Sequence, residues 1–568
     1  MPSFEKTWEQ VTDFWGSVNL DEPDVIVDKD RAKKEMGDEI AFIDMQTKQI
    51  KVNYPNMSQK IGSDKLKPIE EHEVGHHKFC PYDLKTNLKL LNEADIILRN
   101  LEQAKYAENL FSDILTNTHI IKKGDKSIIG VYQKMSQQNS NSELWNLYMK
   151  TCEGLWQLPQ KTLAAQPTEK VNCDAKKLED IIKDVIYKPE DWPKGMRDFT
   201  NIIKDYLKKE MGSGANGTGC QGSAAGAGSG PAQPGQQGKQ PQQGSPQGAS
   251  GNTQQQKSDA QSRGLIDEHS PKDFAPVHGE NDKAGEAELE RKLKGLANDT
   301  GKNPQRYKRI VAGSGLGSQK SALKWFYRDL ASAFDVEMPE AASNSASEVP
   351  ETYIDWDVHD EDKNLDIPYS LSQHGAIIPG HTTYQNKYKK GVSGQRDAVC
   401  PDLVICIDSS GSMPDPCTTL SPAVLSAMVA ARKALSMDRS VAVINFSSSY
   451  EVLDFTRKKE DVDETLVKFL NGGTDIPGAE LLKLVQKNKR PKHIIVISDT
   501  EIYNLNSQKT YLKQAIDSAK MGGSIFLINP AAGSSKALEK MGYDVHKVTD
   551  PNDLVGLTLK KTKSIYGG

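Results

Sequence analysis

Cysteine is scarce and scattered. The seven in 568 residues (Cys80, Cys152, Cys173, Cys220, Cys400, Cys406 and Cys417) are odd in number and include no CxxC pair, which argues against a disulfide framework and for reduced thiols in the cytoplasm. Long apolar runs are missing as well. No stretch approaches the roughly 20 apolar residues of a membrane span, and the opening MPSFEKTWEQVTDFWGSVNLDEPD lacks the basic-then-apolar order of a signal peptide. Nor is there a surplus of either charge: 72 Lys+Arg stand against 77 Asp+Glu, so the balance requires neither nucleic acid nor a membrane as partner.

What is present is length, and 568 residues exceed one core and predict about three or four domains. Residues 212–262 are Gly, Gln, Ser and Pro with almost no apolar mass; such a segment cannot bury enough surface to offset its ordering entropy and reads as a flexible tether. Before it, EIAFIDMQTKQIKVNY alternates around Gln46-Thr47-Lys48 as a hairpin does, and from Leu84 to Ile121 apolar residues recur at helical spacing. The division expected is 1–122, a helical subdomain at 123–211, the linker at 212–262, a helical and then β-rich segment at 263–398, and a last domain at 399–568. In that last domain DLVICID, SVAVINF, HIIVISD and SIFLINP are apolar runs separated by amphipathic helices, the pattern of a doubly wound α/β sheet buried on both faces.

Open parallel sheets bind ligands beyond the carboxyl ends of their strands. There the first run ends in Asp408-Ser409-Ser410-Gly411-Ser412, a later loop holds Asn471-Gly472-Gly473-Thr474-Asp475, and another run ends in Ile497-Ser498-Asp499. Carboxylate, hydroxyl and water oxygens in an octahedral set suit Mg²⁺. Residues from about 399 to 565 resemble a von Willebrand factor A domain with a metal-ion-dependent adhesion site. The resemblance implies Asp408, Ser410, Ser412, Thr474 and Asp499 as the magnesium residues, with an acidic group from a protein partner completing the shell. The glycine-rich GSGLGSQKS at 313–321 has Gln319 where a phosphate-binding loop needs its final glycine, and reads as a turn and helix start.

In the N-terminal half, His72-Glu73-Val74-Gly75-His76 puts two imidazoles one turn apart on a helix face, where both reach one Zn²⁺. Glu73 would project beside the metal's open position as a general base toward water. Charged Glu70 and Lys78 flank the motif. The later helix NEADIILRNLEQAKYAENLFSDILTN offers Glu93, Asp95, Glu108 and Asp113, and Asn109, Asp113 and Asn117 share one of its faces. His77 and Cys80 follow the motif directly, and read as a surface or supporting histidine and a buried thiol. HEVGH with NLFSDILTN, over residues 38 to 120, resembles the zincin-like metallopeptidase domains found ahead of von Willebrand A domains. By that pattern an α+β fold is implied, with Asp113 as third zinc ligand, then Glu108, then Glu93.

Together these give a multidomain protein of two modules: a zinc-binding HExxH half that includes Glu73 as catalytic base, and a Mg²⁺-dependent protein-binding half. The alternatives are a non-catalytic adaptor or co-chaperone for a MoxR-type AAA+ ATPase, which the resemblance implies as a partner, and, more remotely, a chelatase-like subunit.

Overall fold

The computed structural model describes residues 4–44, 47–139, 141–165, 167–211, 271–275, 283–334, 348–360, 365–390, 400–499, 502–528 and 534–566. The linker at 212–262, Gln46 of the hairpin turn and Cys220 lie outside them. The chain forms two compact units, Met1–Leu330 with Pro416–Leu420, and Ala331–Asp415 with Ser421–Gly568.

The first unit opens with α1 (Phe4–Trp15), β1 (Asp21–Ile26), α2 (Lys29–Met36), β2 (Ala41–Asp44), β3 (Gln49–Asn53) and α3 (Tyr54–Lys60). The expected hairpin is β2–β3, antiparallel with Ile43 opposite Ile50, and β1 joins parallel to β3, so that the sheet order is β1-β3-β2 with β2 at an edge. Then come α4 (Leu66–Lys78), which carries the HExxH motif, α5 (Leu84–Leu98), α6 (Leu101–Lys123), α7 (Ile128–Asn139), α8 (Glu143–Leu155), α9 (Glu169–Val185) and α10 (Trp192–Met211). Helix α6 starts where Asn100 accepts a hydrogen bond from the Gln103 N–H, and stops at Gly124, whose φ of 118° lets its own N–H reach back to Ile120 and Ile121. Helix α4 packs on α1, on α6 and on β2.

Residues beyond the low-complexity stretch return to this unit. Helices α11 (Lys283–Lys292), α12 (Leu296–Asp299), α13 (Pro304–Gly313) and α14 (Gln319–Ser332) follow it. Of these, α12 and α13 pack against α5. Arg309 pairs with Asp95, Lys89 with Asp299 at 3.3 Å, and Asn92 donates to the Asp299 carbonyl at 3.4 Å. The composition break at 212–262 therefore does not coincide with the boundary between compact units. GSGLGSQKS is the turn between α13 and α14, as its missing glycine suggested.

The second unit contains a two-stranded antiparallel pair, β4 (Glu348–Asp355) and β5 (Tyr384–Lys390), with α15 (Ile367–His374) between them. Its main body is β6 (Asp402–Asp408), α16 (Pro422–Ser436), β7 (Val441–Phe446), β8 (Tyr450–Thr456), α17 (Lys459–Leu466), α18 (Gly478–Gln486), β9 (Lys492–Asp499), α19 (Leu505–Ala519), β10 (Lys520–Ile528), α20 (Ser534–Lys540), β11 (Asp544–Val548) and α21 (Asp553–Tyr566). The six strands run in the order β11-β10-β9-β6-β7-β8. All neighbours are parallel except β8, which runs antiparallel to β7, so the sheet is mixed rather than wholly parallel. Val404, Cys406, Ile494 and Val496 pack with Leu481, Leu512 and Ile516 of α18 and α19. The intervening Leu403, Ile405 and Ile407 are equally buried, so both faces are covered, as their unbroken apolar runs predict.

One buried histidine makes this sheet sensitive to acid. His493 on β9 lies 2.8 Å from the Met521 carbonyl oxygen and 3.2 Å from the Ser524 hydroxyl, and burial pushes it down to about 4 despite the hydrogen bond to Met521. The unfolded chain takes up this proton near pH 6.5 and the folded chain does not, so stability is lost as pH falls from about 6.5 through about 4, by about 3 kcal/mol in all. Hydrogen-exchange protection of β9 should fall over that window, and His493→Gln should flatten the dependence. An unchanged pH profile in the variant would assign the loss to other groups.

Candidate metal centres

Helix α4 is hydrophilic in composition yet buried on every side: Glu70, Glu71, His72, Glu73 and His76 are all 0% exposed. Burying so many ionisable groups is costly unless each is compensated, so their retention points to chemistry rather than packing. Gly75 shows how closely α4 meets α6. A Cβ there would stand 2.3 Å from Cγ2 of Thr116 and 3.3 Å from the Trp15 ring. Trp15 also donates its indole N–H to the Glu71 carbonyl at 3.0 Å.

This close crossing brings Asp113 of α6 to the two histidines. The Nε2 atoms of His72 and His76 are 3.1 Å apart, and Asp113 Oδ1 lies 3.7 Å from the first and 3.4 Å from the second. The other ring nitrogens are held from outside. His76 Nδ1 is 2.8 Å from the carbonyl oxygen of Cys80, which only accepts, so Nδ1 carries the proton and Nε2 presents a lone pair. His72 Nδ1 is 2.8 Å from Asn117 Oδ1, and Asn117 donates its amide to the Tyr132 hydroxyl at 2.8 Å, which assigns the same tautomer to His72. Two lone pairs and a carboxylate then converge on one buried point. A tetrahedral ion with bonds of about 2.0 Å separates its ligand atoms by about 3.3 Å, close to the spacings found here. His72, His76 and Asp113 could hold a metal ion.

The other candidate ligands are engaged elsewhere. Glu93 accepts from Arg197 Nε at 2.7 Å, and Glu108 accepts from the Ser112 hydroxyl at 2.7 Å. The Cys80 sulfur faces Ser112 at 3.8 Å, with burial raising its thiol well above the ordinary value; Cys80 serves the site through its carbonyl instead. Half-buried His77 is outside the group. Glu73 is fully buried, about 100° around the helix from His72. The flank proves less polar than its sequence suggests: burial, with Glu22 and Glu71 nearby, pushes Glu70 up to about 8, so its carboxyl is neutral at pH 7.

In the second unit β6 lies between β9 and β7, which makes its carboxyl end the topological switch point. Asp408 ends β6. Its Oδ1 accepts the Ser410 N–H at 2.8 Å and its Oδ2 accepts the Ser498 hydroxyl at 2.5 Å. The Ser410 and Ser412 hydroxyls are 3.1 Å apart. The Thr474 loop is tied to this one by the Asn471 N–H to the Ser409 carbonyl, 2.9 Å, and the Gly411 N–H to the Gly472 carbonyl, 2.8 Å. Gly472, at φ 101°, turns the loop back. Asp408, Ser410 and Thr474 are buried, Ser412 is exposed and Asp499, at the end of neighbouring β9, is half-buried. Burial raises the Asp408 carboxyl, and Asp499 adds to this, against hydrogen bonds from Ser498 and Ser410. A cation would relieve that repulsion.

The family description von Willebrand factor type A domain matches residues 403–501. These residues form a von Willebrand factor type A domain. Domains of this family are generally protein-binding and often bind a metal. Among solved structures, a von Willebrand factor type A protein from Catenulispora acidiphila is similar at 21% identity over 29% of this chain and 43% of its own, with a TM-score of 0.23. The vWF domain of the type V pili tip protein Mfa5 from Porphyromonas gingivalis is similar at 13% identity over 30% of this chain and 95% of its own, TM-score 0.24. The Deinococcus radiodurans RO (RSR) protein is similar at 11% identity over 93% of this chain and 96% of its own, TM-score 0.22. Comparison with curated proteins gives no match. No helix of the A domain, or elsewhere among the described residues, is long and apolar enough to cross a membrane.

Sequence reasoning missed several supports of these sites. Ser498 and Asn445 secure the A-domain loops, Asn445 by accepting from the Ser409 hydroxyl at 2.5 Å and donating to the carbonyls of Thr465 and Lys468. A lone Asn inside the apolar run VAVINF was the available signal. Tyr132 and the Cys80 carbonyl had none, because neither spacing nor composition marks a helix partner or a backbone oxygen.

Proposed function

We propose that the protein joins a zinc-holding HExxH module to an A domain that captures a protein partner through Mg²⁺. The zinc assignment is carried by the convergence of two Nε2 lone pairs and the Asp113 carboxylate at 3.1–3.7 Å, with both Nδ1 atoms committed to outside acceptors. Nitrogen and carboxylate donors in a compact buried set suit Zn²⁺ better than Mg²⁺. In the A domain, Asp408, Ser410, Ser412, Thr474 and Asp499 would hold Mg²⁺ and leave room for a carboxylate from the partner, for which a MoxR-type AAA+ ATPase is the candidate.

Peptide hydrolysis is a second reading of the first module, favoured by Glu73 beside His72 and by the edge position of β2, where an extended peptide could add as a strand. Zinc would polarise the scissile carbonyl. Glu73 would take the proton of the attacking water, and β2 would align the chain. All three ligands are at most 1% exposed, so substrate entry would require this module to open.

Elemental analysis tests the zinc that both readings require, and a cleavage assay separates them. Purified wild-type protein should carry one equivalent of zinc and His72→Ala none, whereas zinc retained by the variant would sink the assignment. Glu73→Gln should keep zinc and, if the module is hydrolytic, lose cleavage of a disordered protein such as casein by a factor of about 10² or more; equal cleavage would remove Glu73 from that role.

A further inference from the structure

Resting on the zinc assignment proposed above, we infer that Tyr132 of α7 is a positioning residue of the first unit's metal centre. By accepting the Asn117 amide it keeps His72 in the tautomer that can take a metal. The two histidines are not held alike. His76 Nδ1 faces the Cys80 carbonyl at 2.8 Å, and a carbonyl oxygen only accepts, so the proton of that ring has one place to be. Thr116 donates its hydroxyl to the same carbonyl at 3.1 Å and helps to fix it. His72 Nδ1 instead faces a side-chain amide, that of Asn117, at 2.8 Å.

An amide has a donor end and an acceptor end of nearly the same size. Turned over, Asn117 would present an N–H to His72 Nδ1, and the imidazole proton would sit on Nε2 with the ring's proton count unchanged. That Nε2 is 3.1 Å from His76 Nε2, within hydrogen-bond reach, so His72 would donate to His76 across the space a metal needs. The centre therefore has a closed setting as well as a metal-ready one, and the sense of one amide separates them.

Tyr132 tips that balance. Its hydroxyl oxygen lies 2.8 Å from Asn117 Nδ2 and accepts from it, in the setting that aims Nε2 of His72 at the metal position. Asn117 and Tyr132 are at most 1% exposed, so water cannot stand in for that oxygen. Without it the metal-ready setting buries an orphan N–H. The closed setting would leave only a carbonyl oxygen short of a donor, which protein interiors tolerate more readily. The hydroxyl is placed by its ring, which packs among Trp145, Tyr148 and Trp156 with centroids 5.7–6.3 Å away; phenylalanine would keep that packing and lose the oxygen alone.

Two measurements on full-length protein test this. In metal-free protein carrying ¹⁵N-labelled histidine, the ring nitrogen shifts, assigned by comparison with His72→Ala and His76→Ala, should show His72 and His76 both protonated on Nδ1. Tyr132→Phe should move His72 toward the Nε2–H form and leave His76 as the unchanged internal control. Zinc affinity, read by competition with a chelator, should fall about tenfold in Tyr132→Phe. Asn117→Asp offers His72 acceptor oxygens at either end, so in that background Tyr132→Phe should change zinc affinity by less than about threefold. Circular dichroism melts without zinc establish that the variants fold. A tenfold loss in both backgrounds would give Tyr132 a packing role and overturn the proposal, as would a His72 already protonated on Nε2 in metal-free wild type or one indifferent to Tyr132→Phe. Wild-type protein that binds no zinc would remove the zinc assignment separately, because the tautomer measurement uses no metal.

Discussion

With zinc held as proposed, stripping it should lower the melting temperature of the first unit by about 8–16 °C. A ligand that binds only the folded state, at about 1,000 times its dissociation constant, contributes about 4 kcal/mol, and each kcal/mol moves a domain of this size by about 2–4 °C. The effect should be large here because the metal-free site leaves two imidazole lone pairs and a carboxylate facing one another at 3.1–3.7 Å with no water-exposed surface to relieve them. Zinc added back to the chelated wild type should restore the melt. Asp113→Ala should melt near the stripped protein and ignore added zinc. Asn117→Ala should behave between the two, binding zinc about 10- to 100-fold more weakly, because it leaves the ligands intact and frees the His72 ring to turn. A wild-type melt indifferent to chelator and zinc would remove the metal from this module.

The second large effect is expected at Asp408. If the A domain captures an AAA+ ATPase through Mg²⁺, as proposed, Asp408→Ala should abolish that capture. The residue is buried at the end of β6, and it organises both the Ser410 backbone and the Ser498 hydroxyl, so its loss removes a charge and frees both the loop after β6 and the end of β9. Calorimetry should show Mg²⁺ affinity falling by about a hundredfold or more, in line with a lost charged interaction of about 3 kcal/mol or more. Partner capture by wild-type protein that survives EDTA would instead place recognition on a metal-independent surface.

How much of this could be read from the sequence differs between the units. The A-domain strands are legible because a sheet covered on both faces demands unbroken apolar runs, and DLVICID or HIIVISD have few other uses. Their order is less so: nothing local in YEVLDFT says that it closes the edge antiparallel, since that depends on the short turn from Phe446 to Tyr450. In the first unit HEVGH names its own residues, and the four-residue spacing of Asp113 and Asn117 puts both on the face that meets them. The choice of Asp113 over Glu108 and Glu93 becomes visible only in three dimensions, where Ser112 and Arg197 occupy the other two carboxylates. Glu70 misleads in sequence for a related reason. A glutamate looks charged in one dimension, and only its burial beside Glu22 and Glu71 makes it neutral.

The helices that follow the low-complexity stretch bear on what that stretch can do. Met211 and Pro271 belong to the same compact unit, and Asp95–Arg309 and Asn92–Asp299 fasten the two sides together. Residues 212–270 therefore begin and end in the first unit, and do not run from one compact unit to the other. A cut between Met211 and Pro271 would divide the polypeptide while leaving its two parts held by the packing of α12 and α13 against α5.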